Sequence, residues 1–302
     1  DPRTANMKAA HGVAAVAAAV GLYIAYKHSR RLSAAAAEPA IEAHQATEVS
    51  GLQAELMALA PEIASAMRMK VHCTVVADGT PPPPGGKLVY FIRHGEGHHN
   101  VVQREWRATP GWDGVSEPYT LDTDPAFKYL DPSLTAKGEG EARALQPRTA
   151  GFTPDLLVVS PLVRATQTGL IAFERHVGSG RLKVLAHELC HEIGGKHTCD
   201  KRGSKTQLRA AYSNIDYSLV ESEEDPMWLD GRTREPLRDL SMRAGRFVQW
   251  MRSRPESSIA VASHSAFLLS TFNAVLATDS AEARQWFGTG EMRAVHLTFT
   301  DL

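Results

Sequence analysis

Two groups of residues in this sequence have types and spacings that could do chemistry. The first is HELCHEIGGKH, which fits HExxHxxGxxH with His187, Glu188, His191, Gly194 and His197 in place. Three histidines could hold a zinc ion there while Glu188 polarises a water for hydrolysis. The second group is scattered: Arg93 and His94 in RHGEGHHN, Arg164 in SPLVRATQT, and His264 in SHSAF. Arginine presents planar, permanently charged donors that clamp phosphate oxygens in pairs, and a neutral imidazole is a nucleophile able to attack phosphorus. If these residues converge, they make a phosphate pocket with its own nucleophile.

The elements that must position each group decide between them. Short β-rich runs read as strands at Lys87–Ile92, Asp155–Ser160, Arg181–Ala186, Ser258–Ser263 and Ala294–Phe299. Helical spacing appears at Thr135–Gln146, Val163–His176, Arg232–Arg252 and Ala266–Leu276. Continuous apolar strands alternating with helices predict an α/β fold, a mostly parallel sheet with helices on both faces, whose sites gather at the carboxyl ends of the strands. RHGEGHHN, SPLVRATQT and SHSAF each stand at such an end. HELCHEIGGKH does not have the context it needs: HExxH requires a helix so that His187 and His191 share a face, yet GSGRLKVLA before it reads as a turn and a strand. A zinc peptidase is therefore the weaker reading.

With RHG after the first strand, the chain resembles the histidine phosphatase superfamily, the phosphoglycerate mutase-like fold, over about Lys87 to Thr300. CHEIGGKHTCDKR and DYSLVESEED resemble the plant and fungal phosphoglycerate mutase-like proteins in particular, and LTAKGEGEA matches the family's LTxxG turn. The resemblance implies that His94 is phosphorylated in turnover, that Arg93, Arg164 and His264 bind the transferred phosphoryl group, and that Asn100 adds a phosphate contact. It places the general acid after the third strand, in LCHEIGG, where Glu192 is the candidate and Glu188, one turn earlier, the reserve. The function implied is metal-independent hydrolysis of a phosphomonoester through a phosphohistidine, with no cofactor. Mutase-type transfer is the alternative; the segment NERHYG that accompanies it in phosphoglycerate enzymes is absent. A non-catalytic phosphate-binding scaffold is a third reading, against which His94 is intact.

The remaining residues allow blander roles. Asn100 could cap a helix. Cys190 and Cys199 read as small buried side chains, or with His191 and His197 as a structural zinc set of unusual spacing. His98 and His99 read as rim residues that enlarge the positive field around a phosphate, or as solvated ones. Lys201, Arg202, Lys205 and Arg209 form a basic run that either reads a second anionic group or is a solvated face. Specificity is expected in Val101–Asp131 and Lys196–Glu235.

Composition bounds the rest. A chain of 302 residues with 43% apolar content can bury a sizeable core. The net charge of -1 argues against nucleic acid as a partner and leaves a small phosphorylated substrate. Three cysteines are too few and too odd for a disulfide framework, which favours a cytoplasmic or organellar interior. The organisation expected is an N-terminal hydrophobic segment over 1–40, a helical segment and Pro-rich linker over 41–86, and a catalytic domain over 87–302. From Ile41 to Val76 the spacing of Leu52, Leu56, Leu59 and Ile63 predicts helix, ended by DGTPPPPGGK. In the N-terminal segment the uncharged run Gly12–Tyr26 is 15 residues, or 18 from Ala9, against about 20 for a bilayer span. Residues 9–26 thus read as a short membrane tether, with Lys27, Arg30 and Arg31 keeping the following chain on the cytoplasmic side, or as a cleaved or organelle-targeting segment, or as an ordinary helix. Oligomeric state is not legible.

Overall fold

A computed structural model describes residues 46–302. The hydrophobic segment at 1–40, with its tether or targeting reading, lies outside the described residues; among these no helix is long and apolar enough to cross a membrane. They open in a helix, α1 (46–67), followed by β1 (Met69–Val75), β2 (Lys87–Arg93), α2 (His98–Arg107), α3 (Ala136–Arg143), α4 (Gln146–Thr149) and β3 (Leu156–Val159). There follow α5 (Val163–Ala172), α6 (Glu174–Gly178), β4 (Lys183–His187), α7 (Lys205–Ala211), β5 (Asp216–Leu219) and α8 (Leu237–Ser253). The last elements are β6 (Ser258–Ser263), α9 (Ser265–Ser270), β7 (Leu276–Ala277) and β8 (Met292–Asp301).

Alternation of side chains along the strands builds two cores from one sheet. In β2, KLVYFIR is apolar almost throughout and buried on both sides. Val89 and Phe91 join a cluster with Leu56 and Ile63 of α1, Leu240, Phe247 and Met251 of α8 and Phe267 of α9. Leu88, Tyr90 and Ile92 face the other way, onto Leu145, Ala172, Phe173 and Leu208. The period of two along a strand thus places helices on both faces. The sheet has eight strands in the order β5-β4-β3-β6-β2-β8-β1-β7, and every strand but β8 runs in one direction among the described residues. The fold is mixed α/β and mostly parallel.

The helix expected from Ile41 to Val76 stops at residue 67. MKVHCTV alternates buried and exposed positions, a period of two that a helical face cannot accommodate, and it pairs along its whole length with β8. The Pro-rich tract therefore joins two strands of one sheet. The expected start of α8 at Arg232 moves to Leu237, because Pro236 fixes the chain in an extended N-cap conformation.

The described residues fall into two units. Residues 48–103 and 117–302 form one. In the other, residues 104–116 are held by Trp106 and Trp112, whose indole N–H groups donate to the Oγ and carbonyl of Ser116 at 3.2 and 3.0 Å.

Candidate active site

Register brings the scattered residues together. Arg93 at the end of β2 pairs with Ser263 at the end of β6, and Val159 of β3 with Ala262. Beyond these pairs His94 and His264 stand side by side at the carboxyl edge, and Ser160, level with Ser263, reaches His264 through its hydroxyl. The His94 N–H donates to the Ser263 carbonyl at 3.0 Å, and the rings of His94 and His264 lie 5.2 Å apart between centres.

His94 is buried, with Nδ1 2.7 Å from the Gly95 carbonyl. A proton on Nδ1 satisfies that carbonyl and leaves Nε2 as the bare nitrogen. Burial, followed by the charges of Arg164 and Arg93, pushes its pKa well below 6.5, so the ring is neutral and its lone pair available. The loop after it fits tightly because two glycines meet. A Cβ on Gly95 would stand 2.4 Å from the Gly138 carbonyl oxygen, and one on Gly138 would stand 2.1 Å from that of Glu96. The turn LTAKG thus presses α3 against the loop, with Thr135 capping the helix by accepting from the Gly138 N–H.

Arg164, in the first turn of α5, is almost wholly buried. It presents Nε to Nε2 of His94 at 3.4 Å, while Nη1 donates to the Cys199 carbonyl at 2.6 Å and Nη2 to Asp200 Oδ1 at 2.9 Å. Asp200 also accepts from Arg234 at 3.0 Å. Burial opposes the Asp200 charge, but Arg234 and Arg164 outweigh it and hold the carboxyl below its usual range. Arg93 donates from Nη1 to the Phe287 carbonyl at 2.6 Å and lies over Trp286. Burial lowers it to about 10, resisted by Glu192, so it stays cationic at neutral pH.

His264 places Nε2 2.7 Å from Ser160 Oγ. Burial and the charge of Arg164 push its pKa well below 6.5, so the unliganded site holds it neutral. Asn100 is the third residue of α2, not its N-cap; its Oδ1 reaches back to accept from the Gly97 N–H at 2.9 Å and so ties the loop to the helix.

The acidic candidates separate clearly. Glu192 accepts from Ala266 and Phe267 N–H, both at 3.1 Å, from Ile193 N–H at 3.0 Å and from the Ser265 hydroxyl at 3.2 Å. It sits at the start of α9, directly beyond His264, with its charge felt by Arg93 and Arg234. Glu188 instead pairs with Arg202 at 3.1 Å. Arg202 is no part of a solvated basic run: it is buried and also donates to the carbonyls of Gly203, Ser222, Glu223 and Glu224. A second buried arginine, Arg243 of α8, donates to the carbonyls of Leu189, His191 and Glu192 and to Glu235.

HELCHEIGGKH is thus a strand end and one 3₁₀ turn, Glu188–Cys190, with His191 extended. His187 packs edge-on against Trp250 at 4.5 Å between centres. His191 pairs with Asp225 and His197 with Asp200. The groups that could hold a metal among the described residues are His197, Cys199 and Asp200, and Glu188, His191 and Asp225. Neither is the three-histidine set, nor the Cys190, His191, His197, Cys199 set. Arg202 already neutralises Glu188 in one group, and two arginines neutralise Asp200 in the other.

Residues 123–301 match the profile of the histidine phosphatase superfamily, branch 1. The chain belongs to that superfamily. Phosphoglycerate mutase-like protein 1 of Arabidopsis thaliana is 29% identical over 218 residues, covering 63% of this chain and 72% of that one. A protein described as a probable phosphoglycerate mutase of Arthroderma benhamiae is 26% identical over 197 residues, covering 62% and 58%. Among solved structures, the α-ribazole phosphatase from Shigella flexneri aligns with a TM-score of 0.43 at 18% identity, over 71% of this chain and 96% of that one.

In this histidine phosphatase superfamily member the structure adds residues that motif reading passed over. His99, read as a rim residue, is buried 5.4 Å from the His94 ring between centres. Ser160, Asp200 and Arg234 complete the surroundings of His264 and Arg164. Ser160 was legible as the end of a strand, whereas nothing local marks Asp200 or Arg234, whose pairing spans 34 residues.

Proposed function

We propose that this protein hydrolyses phosphomonoesters through a phosphohistidine on His94, without a metal. The observation that carries the reading is the state of His94: a buried, neutral imidazole with Nδ1 tied to Gly95 and Nε2 facing a buried arginine. In the first step the Nε2 lone pair forms a bond to phosphorus in line, and the bond from phosphorus to the ester oxygen breaks. Arg93 and Arg164 balance the charge on the equatorial oxygens. His264, with Nε2 2.7 Å from Ser160 Oγ, stands beside the nucleophile as a second imidazole. Asn100, in the first turn of α2, adds a phosphate contact through its amide nitrogen, its Oδ1 being engaged by the Gly97 N–H.

Glu192 gives a proton to the departing alkoxide. As carboxylate it then takes a proton from water, whose oxygen bonds to phosphorus as the bond from phosphorus to Nε2 breaks, and His94 is regenerated. Mutase-type transfer shares the first step and differs in the acceptor; the names of the Arabidopsis and fungal relatives keep it as the second reading. Its test is isomerisation of a phosphoglycerate without phosphate release.

The decisive experiment is rapid denaturation without acid after mixing with a phosphomonoester. An acid-labile, base-stable phosphate should be recovered on His94, and His94→Ala should lack both adduct and turnover. Label on serine or aspartate, or full turnover by the alanine variant, would overturn the reading.

A further inference from the structure

His99 has no part in the steps above, yet its position demands one. It stands in the first turn of α2, 7% exposed, with Nδ1 buried and lacking a hydrogen-bond partner. Buried polar atoms in native proteins are nearly always paired, and an unpaired one is costly. Packing alone would be better served by an apolar ring, since the neighbours are the His94 ring at 5.4 Å and the Tyr119 ring at 6.5 Å between centres. The loop also makes room for it: a Cβ on Gly97 would come within 2.6 Å of His99 Nδ1, so this ring placement depends on glycine there.

We propose that His99 is a further catalytic residue, whose imidazole donates a hydrogen bond to a non-bridging oxygen of the phosphoryl group as it moves to and from His94. His99 acts in this way only if His94 carries the phosphoryl group, as proposed above. A buried N–H without an acceptor is worse than a bare lone pair, so the proton belongs on Nε2 and not on Nδ1 against Gly97. Burial first, then the charges of Arg164 and Arg93, keep the ring neutral. A neutral N–H donor needs no proton uptake, and it can stay in place through both half-reactions. Its value lies in preorganisation, because a donor already fixed in a dry site does not reorganise as charge develops. His264, tied to Ser160 at 2.7 Å, would flank the nucleophile as the other imidazole.

His99→Phe keeps a ring in the cavity and removes the donor. Turnover of a phosphomonoester should fall about 100-fold, while the thermal midpoint stays level or rises, because the unpaired nitrogen is gone. A purely structural histidine gives the reverse pattern, lowered stability with wild-type turnover in the folded fraction, and that result overturns the proposal. A second measurement does not depend on the variant: in wild-type protein with ¹⁵N-labelled histidine, orthovanadate should shift the His99 Nε2 resonance. A resonance unmoved at saturating vanadate overturns the proposal as well. If wild-type protein never carries phosphate on His94, the hydrolytic reading falls and this one with it; if it does, and His99→Phe phosphorylates at the same rate, only the role of His99 falls.

Discussion

Glu192 is the residue on which the proposed chemistry makes its sharpest demand. Its carboxyl group is held by four donors at the start of α9, directly beyond His264. General acid help is needed in proportion to the basicity of the leaving group. Glu192→Gln should therefore slow hydrolysis of alkyl phosphates by about 10²- to 10⁴-fold, and p-nitrophenyl phosphate, whose phenolate leaves without a proton, far less. Comparing kcat on the two ester types checks this; equal losses on both would mean that the proton comes from another group. The convergence of His94, Arg93, Arg164 and His264 was legible because each stands directly at the end of an apolar strand or in the turn beyond it. The partner that fixes the His94 tautomer was not, since a backbone carbonyl leaves no mark in a sequence. Nor were Asp200 and Arg234, which meet only when the chain is folded.

At the scale of elements, the segment from His187 to Gly203 shows how a motif can match without its structure. The zinc pattern assumes a helix, but Lys183–His187 is a strand buried from its second residue on, and the single turn after it places successive side chains in different surroundings. Arginines hold this segment, Arg164 and Arg234 at Cys199 and Asp200 and two buried ones at its first turn. Arg243 binds its carbonyls from α8, and Arg202 binds Glu188 together with the carbonyls of Ser222 to Glu224. Glu188 is thereby committed to structure. Glu188→Gln should lower stability by about 3 kcal/mol or somewhat more, the range for breaking a buried ion pair, read as a shifted urea midpoint. Among molecules that remain folded it should not discriminate between alkyl and aryl esters. An exchange of behaviours between the Glu188 and Glu192 variants would put the acid one turn earlier. The strand β1 was missed for a related reason: seven residues of alternating burial follow a long amphipathic helix directly, and the apolar positions of the two patterns run together without a breaker.

Across the whole molecule, a net charge of -1 conceals internal pairing of opposite charges. Beneath the site, His191 lies 3.4 Å from Asp225, both side chains fully buried, with Glu188 and Arg243 as the other charges acting on the ring. Burial disfavours the charge on His191, but Asp225 and Glu188 outweigh it and raise the ring to about 9. Burial likewise opposes Asp225, and His191 with the N–H groups of Arg202 and Met227 brings it down to about 2. The raised histidine contributes in full below its unfolded value of 6.5 and loses its contribution as pH rises through about 9. The lowered carboxylate contributes in full above 3.8 and loses it as pH falls through about 2. Both act together between those unfolded values. The pair anchors the turn that carries Glu192, since His191 Nδ1 lies 2.9 Å from the Glu192 carbonyl, so its loss should loosen the site as well as the fold. His191→Gln should cost most stability at about pH 4 to 6.5, and the deficit relative to wild type should shrink steadily toward pH 9 as the wild-type ring gives up its proton. Urea midpoints of the two proteins at half-unit steps of pH measure this. A deficit that stays constant from pH 6.5 to 9 would show that His191 is held by packing and by its carbonyl partner, and that the buried ion pair contributes nothing to the fold.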